Sequence, residues 1–213
     1  MKRRRFNPEK IWLSENEGSH VWLSVTTDLQ TRGVKDVLIA CVDGLKAFPE
    51  TIGSAFPRAQ VQLCIVHQIR NSLRYLGYKY HKEFIADLKE VYRAPTREVA
   101  EGALDVLEEK WRAKSAMAVA GWRQHWPHLS TFLDFAPELR KMLYTTNAVE
   151  ALHRQFRKVT KTKGSFPTDD ALKKMLYLAT RDLKGAFRSK QGWSQIFGQL
   201  RIAFGDRISE RIN

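Results

Sequence analysis

Two carboxylates, one Cys–His pair and one run of cations have the residue types and spacing for chemistry. Asp43 follows six consecutive apolar residues, Val37-Leu38-Ile39-Ala40-Cys41-Val42, and precedes Gly44. A carboxylate at the carboxyl end of a buried strand stands where open α/β sheets gather ligands. Its hard oxygens suit Mg²⁺. The same dipeptide also reads as an ordinary Asp-Gly turn. Glu150 is the only carboxylate between Arg140 and Lys163. Around it, Val149, Leu152, Phe156 and Val159 recur at helical spacing and make one apolar stripe. Arg154, Arg157, Lys158 and Lys161 lie off that stripe, and Lys163 follows. No acid occurs from Ala151 to Thr168, which favours phosphate contact over a merely solvated face. Glu150 thus reads as a metal ligand on a DNA-facing helix. It also reads as the second half of a capping box opened by Asn147. Cys64-Ile65-Val66-His67 has the gap of a zinc half-site, but no second pair exists to complete it. Cys64 is therefore expected in the core. His67 is expected at a strand end, facing the cleft of Asp43 or capping the strand.

These side chains need elements to hold them. The runs 37–42 and 61–66 are short, apolar and without alternation, as in parallel strands buried on both faces. Residues 48–57 form a short helix fenced by Pro49 and Pro57. Strand, helix and strand within about thirty residues make a βαβ unit. Before it, Ile11-Trp12-Leu13-Ser14 reads as a strand. A helix from Ser19 to Leu29 has Val21, Trp22, Val25 and Leu29 on one side, with Gly33 beyond it. From Ile69 to Tyr144 the periodicity is helical throughout. Phe84, Leu88 and Val91 form one stripe. Thr96 opens a helix carrying Val99, Ala103, Val106, Leu107 and Trp111. Shorter pieces are expected around Pro127 and Pro137. After a turn at 164–167, Thr168 caps a helix with Leu172, Leu176 and Ala179 inward, and Trp193 to Phe204 is a last apolar helix.

Composition narrows the function. The 213 residues include 36 Lys and Arg against 23 Asp and Glu, a net charge of +13 spread along the chain. That excess fits a nucleic-acid partner. A hydrophobic fraction of 43% argues for a packed core. The two cysteines lie in apolar runs and read as reduced residues of a cytosolic protein. No apolar run approaches the roughly eighteen residues of a membrane span, and no signal-peptide pattern follows the basic start.

The motifs together resemble bacterial Mutator-type insertion-sequence transposases. Residues 22–49 resemble the family's second catalytic-Asp region. Cys64–His67 resembles its C-x-x-H signature. Residues 144–171 resemble its catalytic-Glu helix and the turn beyond. Phe204-Gly205-Asp206-Arg207 resembles its C-terminal end. The likeness covers nearly all of residues 11–210. It implies an α/β fold, mostly helical overall, in which a partial RNase H-like core is interrupted by a large helical insertion. The implied divisions are a basic arm at 1–10, core at 11–77, insertion at 78–143, and a closing region at 144–213 carrying the Glu helix. The resemblance makes Asp43 and Glu150 the second and third members of an Asp, Asp, Glu triad holding Mg²⁺ or Mn²⁺. Cys64, His67 and Asn147 support that site, and Arg154, Arg157, Lys158, Lys161 and Lys163 contact DNA.

The implied activity is metal-dependent cleavage and strand transfer at the ends of an insertion element, in the bacterial cytoplasm and at the nucleoid. The implied partners are double-stranded DNA and further copies of the chain or an intact transposase. Two departures stand out. His153 replaces a common Asn, and no acid before Asp43 has a strand-Asp-Gly context, so the chain looks like the C-terminal portion of such a protein. A non-catalytic DNA-binding or oligomerising remnant is the alternative. A metal-dependent hydrolase of the RNase H-like class is a third.

Overall fold

The computed structural model describes residues 12–13, 18–43, 48–144, 147–181 and 193–209. Side chains are described for 12–13, 18–43, 48–143, 154–179 and 194–208. The described residues fall into two compact units. One takes those between 18 and 145 and between 194 and 213; the other takes those between 1 and 17 and between 146 and 193.

The first unit begins with α1 (Ser19–Thr31), β1 (Ile39–Val42), α2 (Phe48–Ala55), β2 (Gln60–Leu63) and α3 (Ile65–Leu73). The strands pair in parallel, with Ile39 opposite Gln60 and Val42 opposite Leu63. This is the expected βαβ unit, with the helix crossing between its strands. Thr26 is the one fully buried residue of α1, and Val21, Trp22, Val25 and Leu29 are half-buried. Trp22 reaches α2, its ring 4.0 Å from that of Phe48.

The structure departs from three expectations. The strands were expected to be buried on both faces, yet Cys41 is exposed while Val42 is buried. Two four-residue strands give too little sheet for both faces to be covered. The second strand ends at Leu63, and 64–66 already belong to the start of α3. Trp12 and Leu13 are not in a strand; Ile11 and Ser14 lie outside the described residues.

A helical block follows, as expected: α4 (His81–Tyr92), α5 (Arg97–Leu129) and α6 (Pro137–Tyr144). Phe84, Leu88 and Val91 are fully buried. Thr96 caps α5, its hydroxyl accepting from the Val99 amide. Helix α5 breaks at Ser115 (φ −168°, ψ 96°), not at Pro127, through which it continues. Its two arms fold back on each other. Arg123 pairs with Glu108 at 2.8 Å and with Asp105. The Trp126 indole donates to Glu101 at 2.9 Å. Arg97 reaches Ser130 and, at 2.7 Å, Asp134. Partners at increasing separation about one break make an antiparallel helical hairpin.

The buried stripe of the first arm is Ala100, Leu104, Leu107 and Trp111, spaced four, three and four. Val99 and Val106, named among this helix's apolar residues, are exposed because they lie off that stripe. Trp111 packs edge-on against Phe84 and donates to Asp87 at 2.7 Å. Trp122 donates to Ser72 of α3 at 3.0 Å.

Helices α9 (Trp193–Phe204) and α10 (Asp206–Ser209) add Ile196, Phe204 and Ile208 to the same core. Arg207 donates to both oxygens of the buried Asp36, at 2.8 and 3.1 Å, and to the Val37 carbonyl at 3.0 Å. The C-terminal Phe-Gly-Asp-Arg motif thereby ties the chain's end to the segment leading into β1.

In the second unit, α7 (Asn147–Lys161) packs on α8 (Asp169–Arg181). Thr168 caps α8, accepting from the Ala171 amide at 3.2 Å. Leu176 and Ala179 are buried, and Leu172 is half-buried.

Candidate active site

Parallel pairing puts the carboxyl ends of β1 and β2 side by side. Val42 lies opposite Leu63, so the next residues, Asp43 and Cys64, leave the sheet as neighbours. The Cys64 amide donates to the Val42 carbonyl at 2.8 Å, which extends the ladder by one bond. Cys64 is then the N-cap of α3, with extended backbone (φ −66°, ψ 114°). His67, three residues on, stands in the first helical turn. Side chains at the N-cap and third helical positions share the mouth of a helix, which is the geometry behind capping boxes. The C-x-x-H gap is thus a helix-start spacing as much as a metal-ligand spacing.

The result is a three-residue cluster. The ligand atoms of Asp43, Cys64 and His67 all lie within 4.8 Å of one another. His67 Nδ1 is 3.2 Å from Asp43 Oδ1. That is ion-pair range, yet Nδ1 is sealed from solvent and lacks a partner of hydrogen-bonding geometry. The Asp43 side chain is half-exposed, and Cys64 is buried. Both cysteines are outside disulfides.

His67 does face Asp43, as one of its two sequence readings expected. It does so from the start of a helix, not from a strand end. The signal was present in the sequence: Ile65, Ile69 and Leu73 recur every four residues, which carries the helical period back to Cys64. A second residue was missed. Gln62, polar in the middle of an apolar run, is fully buried. Its amide donates to the carbonyls of Leu63 and Leu129, and its oxygen accepts from the Phe132 amide at 2.6 Å. This clamp holds the base of the helical hairpin against β2.

Asp43 offers the half-exposed hard oxygens that Mg²⁺ uses, so it fits that ion by itself. The adjacent thiol and imidazole are donors of a softer class and do not belong to a Mg²⁺ shell. The side chains of Glu150 and Asn147 lie outside the described residues. Their backbones form the first turn of α7, which starts at Asn147. On that helix Phe156 and Val159 are half-buried. Arg154, Arg157, Lys158 and Lys161 are exposed, and so is Lys163 beyond it.

Among the described residues, no helix is long and apolar enough to cross a membrane. The sequence signature described as "Transposase, Mutator family" matches residues 10–190. A probable transposase for an insertion sequence element of Corynebacterium diphtheriae is 38% identical over 94% of this chain and 64% of its own length. A transposase for insertion sequence element ISRM3 of Rhizobium meliloti is 39% identical over 93% of this chain and 50% of its own. An ISRM3-like probable transposase of Sinorhizobium fredii matches at the same identity, again over half of its length. The chain spans between half and just under two thirds of these relatives. A match over residues 10–190, across the strand ends, the C-x-x-H helix and the basic helix, settles the kinship: the chain belongs to the Mutator family of transposases.

Proposed function

We propose that the chain serves DNA transposition of an insertion element, with Asp43 and Glu150 as its metal-holding carboxylates. The observation that supports this best is the placement of Asp43. It leaves a parallel strand at its carboxyl end, half-exposed, beside the start of α3. In this reading the core at 11–77 is part of an RNase H-like sheet, 78–143 is its helical insertion, and 144–213 closes it with the Glu150 helix. Mg²⁺ or Mn²⁺, when bound, activates the attacking oxygen and stabilises the leaving one during phosphodiester cleavage and strand transfer. The chain's own groups do the rest. Asp43 and Glu150 hold the cation. His67, 3.2 Å from Asp43, restricts the carboxylate's rotation. Cys64 pins the strand end through its amide, and Asn147 supports the first turn of the Glu150 helix. Arg154, Arg157, Lys158, Lys161 and Lys163 bind backbone phosphates and position double-stranded DNA. Further copies of the transposase are the expected protein partners.

Two measurements test this. The chain by itself lacks the first Asp of the implied triad, so mobility is read on a marked element whose transposase includes this chain; it should fall to background when Asp43→Asn or Glu150→Gln is introduced. Separately, Arg154→Ala, Arg157→Ala and Lys158→Ala combined should reduce the salt dependence of DNA affinity by about one unit of slope for each phosphate no longer neutralised. Undiminished mobility of both carboxylate variants, with the salt slope still reduced, would replace this reading by the non-catalytic DNA-binding one. An unchanged slope would make the cations a solvated face.

A further inference from the structure

We propose that Asp43, Cys64 and His67 together form a binding site for a zinc-class divalent ion, with a fourth coordination position left to solvent. One carboxylate, one thiol and one imidazole from adjoining element ends lie within 4.8 Å of one another. Three protein ligands of these types plus an open position are the donor set of non-structural zinc sites. Bond lengths of about 2.0–2.3 Å place the donor atoms of a tetrahedral zinc site roughly 3.3–3.6 Å apart. Asp43 Oδ1 and His67 Nδ1 already stand at 3.2 Å. The Cys64 sulfur lies within 4.8 Å of both.

The imidazole supplies a second observation. His67 Nδ1 is buried and has no hydrogen-bond partner. Such atoms are rare in folded proteins and call for an unseen water or ion. A cation between Nδ1, Oδ1 and Sγ satisfies all three. The ligand types choose the metal. Thiolate and imidazole favour zinc-class ions, whereas Mg²⁺ takes oxygen. The metal takes Cys64 as the thiolate, and the thiol proton passes to solvent as the metal binds. Cys41 on β1 does not compete. The three-residue group that could hold an ion includes Cys64 and not Cys41.

This site shares Asp43 with the proposed transposition mechanism. A carboxylate has two oxygens, and Asp43 can serve the zinc-class ion through Oδ1 whether or not it also serves Glu150's cation. The test is a titration of the metal-free full chain with Co²⁺. The expected result is a thiolate-to-cobalt charge-transfer band with visible bands of four-coordinate intensity. Zn²⁺ should abolish both, and excess Mg²⁺ should leave them. Cys64→Ser should remove the charge-transfer band, and Cys41→Ser should retain it. His67→Gln alters a half-exposed residue and should weaken Co²⁺ at least about tenfold, the loss seen even for the outer partners of metal ligands. Far-ultraviolet circular dichroism confirms that each variant is folded. Absence of the charge-transfer band in the unaltered chain overturns the site. So does a band that Cys41→Ser removes and Cys64→Ser spares. Neither outcome touches the mobility test, which reads Asp43 through DNA chemistry.

Discussion

The helical block and the strand ends are built on opposite plans within one unit. In the block, Trp111 and Trp122 are fully buried, and each satisfies its indole N–H with one hydrogen bond, to Asp87 and Ser72. Its stripes interdigitate, and its polar groups find partners. The strand ends carry four-residue strands, an exposed Cys41, a half-exposed Asp43 and a buried imidazole nitrogen that is near Asp43 but makes no hydrogen bond. Stability is concentrated where there is no candidate chemistry. The candidate chemistry sits where packing is thin and polar atoms are left open to a ligand. Gln62 is the joint between the two, bonded to Leu129 and Phe132 from the strand side.

That contrast can be broken by substitution. Trp111→Ala removes the largest ring from the block's centre and should cost about 3–5 kcal/mol in urea unfolding. A loss under about 1 kcal/mol would mean the block is not where the stability lies. Gln62→Leu keeps the side chain's bulk but removes the Gln62 partner of the Phe132 amide and of the Leu63 and Leu129 carbonyls. It should cost at least about 1–3 kcal/mol, the penalty of a single unsatisfied buried group, since three bonds are lost. If the joint matters only for stability, this variant should leave Co²⁺ affinity unchanged. Altered affinity would show that the block positions the strand ends. Asp43→Asn, half-exposed at the other pole, should change unfolding free energy by no more than about 0.5 kcal/mol while removing element mobility. A large destabilisation would collapse the distinction between scaffold and site.

The sequence made the elements legible where periodicity was strong. Phe84, Leu88 and Val91 at spacings of four and three gave α4 its buried face, and Trp193 to Phe204 gave α9 its bounds. It was less legible where two periods overlap. Residues 61–66 satisfy both a strand's apolar run and the first turn of a helix, and tertiary pairing with only four residues of β1 decided the boundary at Leu63. The hairpin within α5 was hidden for another reason. Ser115 is no conventional breaker, and the pairing of Arg123 with Asp105 and Glu108 acts across a turn that local pattern does not mark. Pro127 looked like a breaker but lies in a helix end that is held from outside by the Gln62 bond to Leu129. At the strand ends the residue types were readable. Their convergence was not, because it depends on register: Val42 opposite Leu63 brings Asp43 beside Cys64, and a slip of one residue would separate them.

The α5 hairpin also carries an order of assembly. Its ion pairs and hydrogen bonds span growing lengths of chain about Ser115: Arg123 to Glu108 across 15 residues, Trp126 to Glu101 across 25, and Arg97 to Ser130 across 33. The entropy of closing a loop rises with its length, so the rung nearest the tip is cheapest and each rung shortens the effective loop of the next. The hairpin can therefore zip from its tip without any strand in place. Gln62 lies 67 residues from Leu129 and 70 from Phe132, and bonds to a base that zipping has already assembled. The strands then dock on that base through Gln62, and the tie of Arg207 to Asp36, 171 residues apart, closes later still.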